Sequence, residues 1–146
     1  MGKISKESAV SLAIKYAFSF VGIPYKWGGN NPLCGFDCSG FVCEVLKPTE
    51  IIGRNEDLTA SDLYERFKNN KVETPYTGCL VFYGTKVDIN RIVHIELCLD
   101  EVNTIGAIGG GSKTLTKEDA IRDNAFVKIR TWESRGNVKA FVDPFK

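Results

Sequence analysis

The chain begins with apolar residues at helical spacing and later carries them in short runs, and this change of period predicts its architecture. Ser5 is placed to cap a helix from Lys6 to about Val21, in which Val10, Ile14, Ala17, Phe18 and Val21 form one buried face. Gly22 and Pro24 stop it. Gly28, Gly29, Asn30, Asn31, Pro32 and Gly35 make residues 25–35 a loop. Asp37, Cys38 and Ser39 then open a second helix, which runs through the apolar stretch 41–46 and ends at Pro48. Residues 50–55 read as loop. Thr59-Ala-Ser-Asp opens a third helix through Leu63, Tyr64 and Phe67, closing near Asn69 and Asn70.

Strands follow. Residues 78–83, 92–99 and 104–108 are compact apolar runs rich in β-formers, with a hairpin turn at 100–103 between the last two. Residues 125–132 read as a fourth strand and 138–142 as a fifth. Gly109 to Gly111 mark a turn that lacks the Lys and the helix of a phosphate loop. Helices first and antiparallel strands afterwards predict an α+β fold, as one domain over residues 1–146.

At 146 residues, with 43% hydrophobic and 25% charged, the chain supports a core without staples. A net charge of +1 with interspersed signs gives no footprint for nucleic acid. Five cysteines (34, 38, 43, 79 and 98), an odd number, argue for reduced thiols. Cys34, Cys38 and Cys43 lack paired Cys-x-x-Cys spacing and there is one His, so neither a metal nor another cofactor is expected. Cys43, Cys79 and Cys98 sit among apolar neighbours and read as small buried hydrophobes.

Lys3 and Lys6 precede an apolar run over 9–23, but Lys15 interrupts it and no small-residue cleavage pattern closes it, so no signal peptide is read. Met1-Gly2 lacks a Ser or Thr at position 6 for myristoylation, and no run reaches the roughly 18 apolar residues of a membrane span. The expectation is a monomer made in the cytosol, without membrane contact, whose export needs another route.

The candidate chemistry centres on Cys38. In the first turn of a helix, unpaired N–H groups and the positive end of the macrodipole favour an anion. This setting predicts a thiol pKa lowered from about 8.5 into the range of roughly 3.5 to 7.5. His94 is the one imidazole and lies within an apolar strand. A lone strand His is often structural, but a cysteine at a helix start with a His on a packed strand is the papain-type arrangement.

Four segments, PYKWGG from Pro24, DCSGFV from Asp37, GCLVFYG from Gly78 and VHI from Val93, together resemble the NlpC/P60 family of cysteine peptidases. The resemblance runs from about residue 8 to 131. It implies a papain-like fold with helices packed on a central antiparallel β-sheet. It also implies hydrolysis of amide bonds in bacterial peptidoglycan stem peptides, typically between D-γ-glutamyl and a diamino acid. By the same resemblance Cys38 is the nucleophile and His94 the general base, while Tyr25, Asp37 and Ser39 hold the amine end of the peptide. These three also have plain readings: Asp37 and Ser39 as helix cap, Tyr25 as core. Trp27 reads as support for the loop, and backbone N–H groups at and near Cys38 as oxyanion donors.

The sequence departs from the family at its third catalytic position, a polar residue about a dozen after the His, where this chain has Gly106. Cys79 stands where an acidic residue is usual and Glu96 where a small one is. On a strand Glu96 shares a face with His94, about 6.6 Å along, and so is the candidate orienter of the ring; Thr104 is the other side chain in reach, with a backbone carbonyl or a water as further options. Two function classes stay open. One is an active wall hydrolase, acting after release, injection or incorporation in a virion, as in a phage lysin, a tail module or an effector. The other is a catalytically weak module binding wall peptides or a protein, and a papain-like amidase or acyltransferase with a non-wall substrate lies between them.

Overall fold

A computed structural model describes residues 4–146; Met1, Gly2 and Lys3, on which part of the targeting reading rests, lie outside the described residues. Helix α1 spans Lys6–Phe18, capped by the Ser5 hydroxyl, which accepts from the Ser8 N–H at 3.1 Å. It is shorter than its apolar pattern predicts, and it buries Ala9, Ala13 and Ala17. Phe18 and Val21 are exposed. Alanines on the inner face leave no room for a second bulky ridge, so the larger residues flank the contact. The turn after Ser19 then carries Val21 outward.

A small hairpin of β1 (Asn30–Asn31) and β2 (Gly35–Phe36), unmarked in the sequence, organises the glycine loop. Helix α2 (Cys38–Leu46) follows at once. Pro48 sits in a 3-10 turn, Lys47–Thr49, that prolongs α2 instead of ending it. Helix α3 (Ala60–Phe67) has a full capping box between Thr59 and Asp62 and closes in another 3-10 turn.

The remaining strands are β3 (Lys71–Val72), β4 (Leu80–Tyr83), β5 (His94–Cys98), β6 (Asn103–Ile108), β7 (Phe126–Thr131) and β8 (Val138–Val142). They form a six-stranded antiparallel sheet in the order β3-β8-β4-β5-β6-β7. A fourth helix, α4 (Lys117–Asp123), stands between β6 and β7, where the sequence reading had none. Its signal was a second capping box, Thr116 with Asp119, in a stretch whose one buried side chain is Ala120.

The main core lies between the sheet and helices α1 to α3. Phe20, Phe36 and Phe41 pack there with ring centroids 5.2 to 6.4 Å apart, joined by Leu46, Leu63, Leu80, Phe82, Ile95 and Leu97. Alternation along β5 turns Ile95 and Leu97 into that core. Cys98 belongs instead to a smaller cluster with Cys79, Val81 and Tyr83 on the opposite face. Cys43, Cys79 and Cys98 are buried free thiols and Cys34 is an exposed one. No helix among the described residues is long and apolar enough to cross a membrane.

Candidate active site

The start of α2 is fixed by backbone packing as much as by side chains. Asp37 Oδ1 accepts from the Gly40 N–H at 2.7 Å, and the Asp37 N–H donates to the Gly29 carbonyl at 3.0 Å. A side chain at Gly40 would overlap that same carbonyl, so glycine is required for the loop to lie against the first turn. Cys38 is thus held at the tip of the helix, 9% exposed. Its sulfur lies against the backbone N–H groups of Ser39 and of Ile95, the residue after His94. The Ser39 hydroxyl donates to Asp37 Oδ1 at 3.3 Å. Tyr25 is buried; its N–H donates to Ala125 O, and its ring lies flat enough on Gly110 that a Cβ there would collide with it.

On the facing strand His94 is 6% exposed, and its Nε2 is 2.7 Å from Glu96 Oε2. Glu96 is fully buried. Thr104 Oγ1 donates to its Oε1 at 2.6 Å, and the Arg130 guanidinium donates through Nε at 3.1 Å and through Nη2. Thr104 and Arg130 are paired directly across β6 and β7. The β5–β6 register, Leu97 opposite Ile105 and Cys98 opposite Thr104, puts Gly106 opposite Glu96. A Cβ on Gly106 would stand 3.1 Å from Glu96 Cγ.

Electrostatics set the protonation of this group. Burial alone would raise the Glu96 pKa, but hydrogen bonds from His94 and Arg130 outweigh it and hold the carboxyl at about 2. An ionised carboxylate only accepts, so Nε2 of His94 carries the proton and Nδ1 is left as the base. Burial lowers the His94 pKa below its usual value and wins over the opposing pull of Glu96. The ring rests neutral. Burial pushes the Cys38 thiol up to about 12, and the Asp37 carboxylate adds to the rise. This corrects the expectation of a depressed thiol pKa: desolvation in a closed first turn exceeds the favour of the helix dipole. Asp37 is itself raised by burial, against hydrogen bonds from Gly40 and Ser39 that lower it.

Two arginines absent from the sequence reading belong to this region. Arg130 is the strong partner of Glu96. Arg135, just before β8, stacks on the Tyr83 ring at 5.6 Å. Cross-strand register reveals Arg130, and the turn between β7 and β8 brings Arg135 onto Tyr83. Trp27, expected to support its loop, is 52% exposed, although its N–H anchors the loop on Thr114 O at 2.7 Å. Among the described residues no group of three or more His, Cys, Asp or Glu is arranged to hold a metal ion.

Comparison with known proteins gives the same outline. Residues 22–131 match the family model described as NlpC/P60 family. The chain is 34% identical over 84 residues to the bifunctional muramidase/DL-endopeptidase CwlT of Bacillus subtilis, covering 58% of this chain and 25% of that protein. It is 31% identical over 86 residues to the murein DD-endopeptidase MepH of Escherichia coli, covering 58% and 31%. The chain therefore spans about a quarter to a third of these curated relatives. Among solved structures, the peptidoglycan hydrolase RipB of Mycobacterium tuberculosis superposes with a TM-score of 0.69 at 22% identity, over 98% of this chain and 67% of that one. The fold is accordingly α+β and papain-like.

Proposed function

This chain belongs to the NlpC/P60 family, and from that premise we propose that it is a cysteine endopeptidase of peptidoglycan stem peptides, with Cys38 as nucleophile and His94 as general base. The observation that carries this reading is the pairing itself: a cysteine in the first turn of α2 against the strand that bears a buried His, whose tautomer is set by Glu96.

The reaction follows from the resting state. Thiol and imidazole are both neutral, so Nδ1 takes the thiol proton as the sulfur attacks the scissile carbonyl. The imidazolium is stabilised by Glu96, which stays ionised because Arg130 and Thr104 hold it. The Cys38 N–H has no backbone acceptor among the described residues and is free to receive the oxyanion. His94 then gives its proton to the leaving amine, and water hydrolyses the thioester by the reverse path.

The bond we propose is that between D-γ-glutamyl and the diamino acid. A free L-Ala ammonium placed at Asp37, with Ser39 beside it, sets the next peptide bond but one at the sulfur. A Bacillus subtilis relative, 32% identical over 53% of this chain, is named gamma-D-glutamyl-L-lysine dipeptidyl-peptidase, which supports this choice. The test is mass analysis of defined muropeptides after incubation with wild type and Cys38→Ala. Release of L-Ala-D-Glu dipeptide by wild type alone is expected; products ending elsewhere, or equal release by the variant, would discard the proposal.

A further inference from the structure

Arg135 is half-buried and, among the described residues, takes part in no ion pair or side-chain hydrogen bond. Arg66, Arg122 and Arg130 each have a carboxylate, and the other arginines without one, Arg54 and Arg91, are exposed. The guanidinium is held in place all the same. Its carbon lies 5.6 Å from the centroid of the Tyr83 ring, a favourable cation–π distance. That ring is anchored by its hydroxyl on Trp132 O at 2.9 Å, and its centroid lies 5.5 Å from that of His94, its direct partner across β4 and β5. The positive charge reaches Cys38 and Tyr25 on one side and His94 and Tyr83 on the sheet side; it opposes the rise that burial gives Cys38, Tyr25 and Tyr83 and adds to the lowering that burial gives His94. A cation felt by nucleophile, base and Tyr25 together stands where the two halves of the site meet, opposite in sign to Asp37.

We infer that Arg135 is the carboxylate-binding group of the cleft, receiving a free carboxylate of the peptide beside the scissile bond while Asp37 and Ser39 receive its ammonium. This rests on the hydrolase reading above. A γ-linked glutamyl residue keeps its α-carboxylate free, and a dicarboxylic diamino acid brings another on the leaving side. Either gives the planar guanidinium a bidentate partner. The stack on Tyr83 keeps the fork oriented before substrate arrives, which reduces the ordering cost of binding.

The experiment compares kcat/KM of wild type, Arg135→Gln and Arg135→Lys on three muropeptides: one with both carboxylates free, one amidated on the glutamyl residue, and one amidated on the diamino acid. Wild type should prefer the free acid over one of the two amides by at least about tenfold, chiefly through KM, and that amide identifies the carboxylate. Arg135→Gln should bring this ratio close to one, and Arg135→Lys should keep part of it. If wild type is indifferent to both amidations, or Arg135→Gln keeps the wild-type ratio, the subsite is wrong and the hydrolase reading stands. An equal loss on all three peptides also overturns it, since that would mark a role in thiolate stabilisation or folding. A wild type that cuts none of them overturns the hydrolase reading, and the subsite with it.

Discussion

Glu96 and Gly106 share one space: the glutamate on β5 fills the room that a side chain on β6 would need, with a Cβ at 106 only 3.1 Å from Glu96 Cγ. A side chain at 106 and the Glu96 carboxylate on His94 are therefore mutually exclusive in this packing. The glycine and the glutamate, read separately in the sequence, are one local arrangement in the structure.

That relationship predicts reciprocal effects. Glu96→Ala should lower kcat by roughly 10² to 10⁴ with little change in KM, because the ring loses the acceptor that fixes its tautomer. Gly106→His in the wild-type background should also impair, by pushing Glu96 off its partners. In the Glu96→Ala background the same change should restore part of the lost rate. Steady-state kinetics on one muropeptide check all three, and an additive loss in the double variant would count against the exchange.

Arg130 should matter for stability more than an exposed arginine would. Removing it leaves Glu96 buried without its cation, a type of change that costs about 3 to 5 kcal/mol. The pH dependence follows from the sign of the shift. Glu96 has a folded pKa of about 2 against an ordinary 4.5, so its contribution, on the order of 3 kcal/mol, is present above pH 4.5 and lost as pH falls toward 2. Urea unfolding between pH 7 and 3 should show wild type losing stability more steeply than Glu96→Gln. Parallel curves would mean that the carboxylate is not held low.

Thiol reactivity tests the resting state. With Cys38 pushed up to about 12 and His94 neutral, alkylation of Cys38 by iodoacetamide should keep rising with pH through 9 and beyond. Exposed Cys34 should react first. Peptide mapping by mass spectrometry separates the two sites. A Cys38 rate already level at pH 6 would indicate a preformed thiolate–imidazolium pair. Hydrolysis itself should fall only in acid, once His94 is protonated below its usual value.

Much of this was legible in the sequence, and the misses share causes. The helix and strand order came from periodicity, and residue type and position singled out Cys38 and His94. The exposed Phe18 and Val21 were misassigned because alanines, carrying little apolar signal, made the closer contact. Helix α4 was missed because its stability comes from a capping box, not an apolar stripe. Arg130 depends on which residues lie opposite across strands and Arg135 on the path of the turn before β8, and spacing along the chain encodes neither. The thiol pKa was misjudged because burial depends on how the glycine loop closes over the helix tip.

The capping of α2 by Asp37 and the ammonium binding proposed for it can be separated by one substitution. Asn caps a helix about as well as Asp, so Asp37→Asn should fold with nearly unchanged Tm while losing its charge. Wild type should cut muropeptides with a free N-terminal L-Ala faster than those still carrying N-acetylmuramic acid, and Asp37→Asn should lose most of that preference. Equal rates in wild type would leave Asp37 and Ser39 as caps alone.

Lys6 Nζ meets Asp143 Oδ2 at 2.6 Å, and Tyr76 donates to the same oxygen at 2.7 Å, so the first helix and the end of the last strand are clasped together. Helix α1 and the segment just after β8 thus lie side by side. A short linker could join them while the backbone is opened elsewhere, for instance in the exposed bend at Gly53, Arg54 and Asn55. The elements in this sense form a ring that Lys6, Tyr76 and Asp143 close.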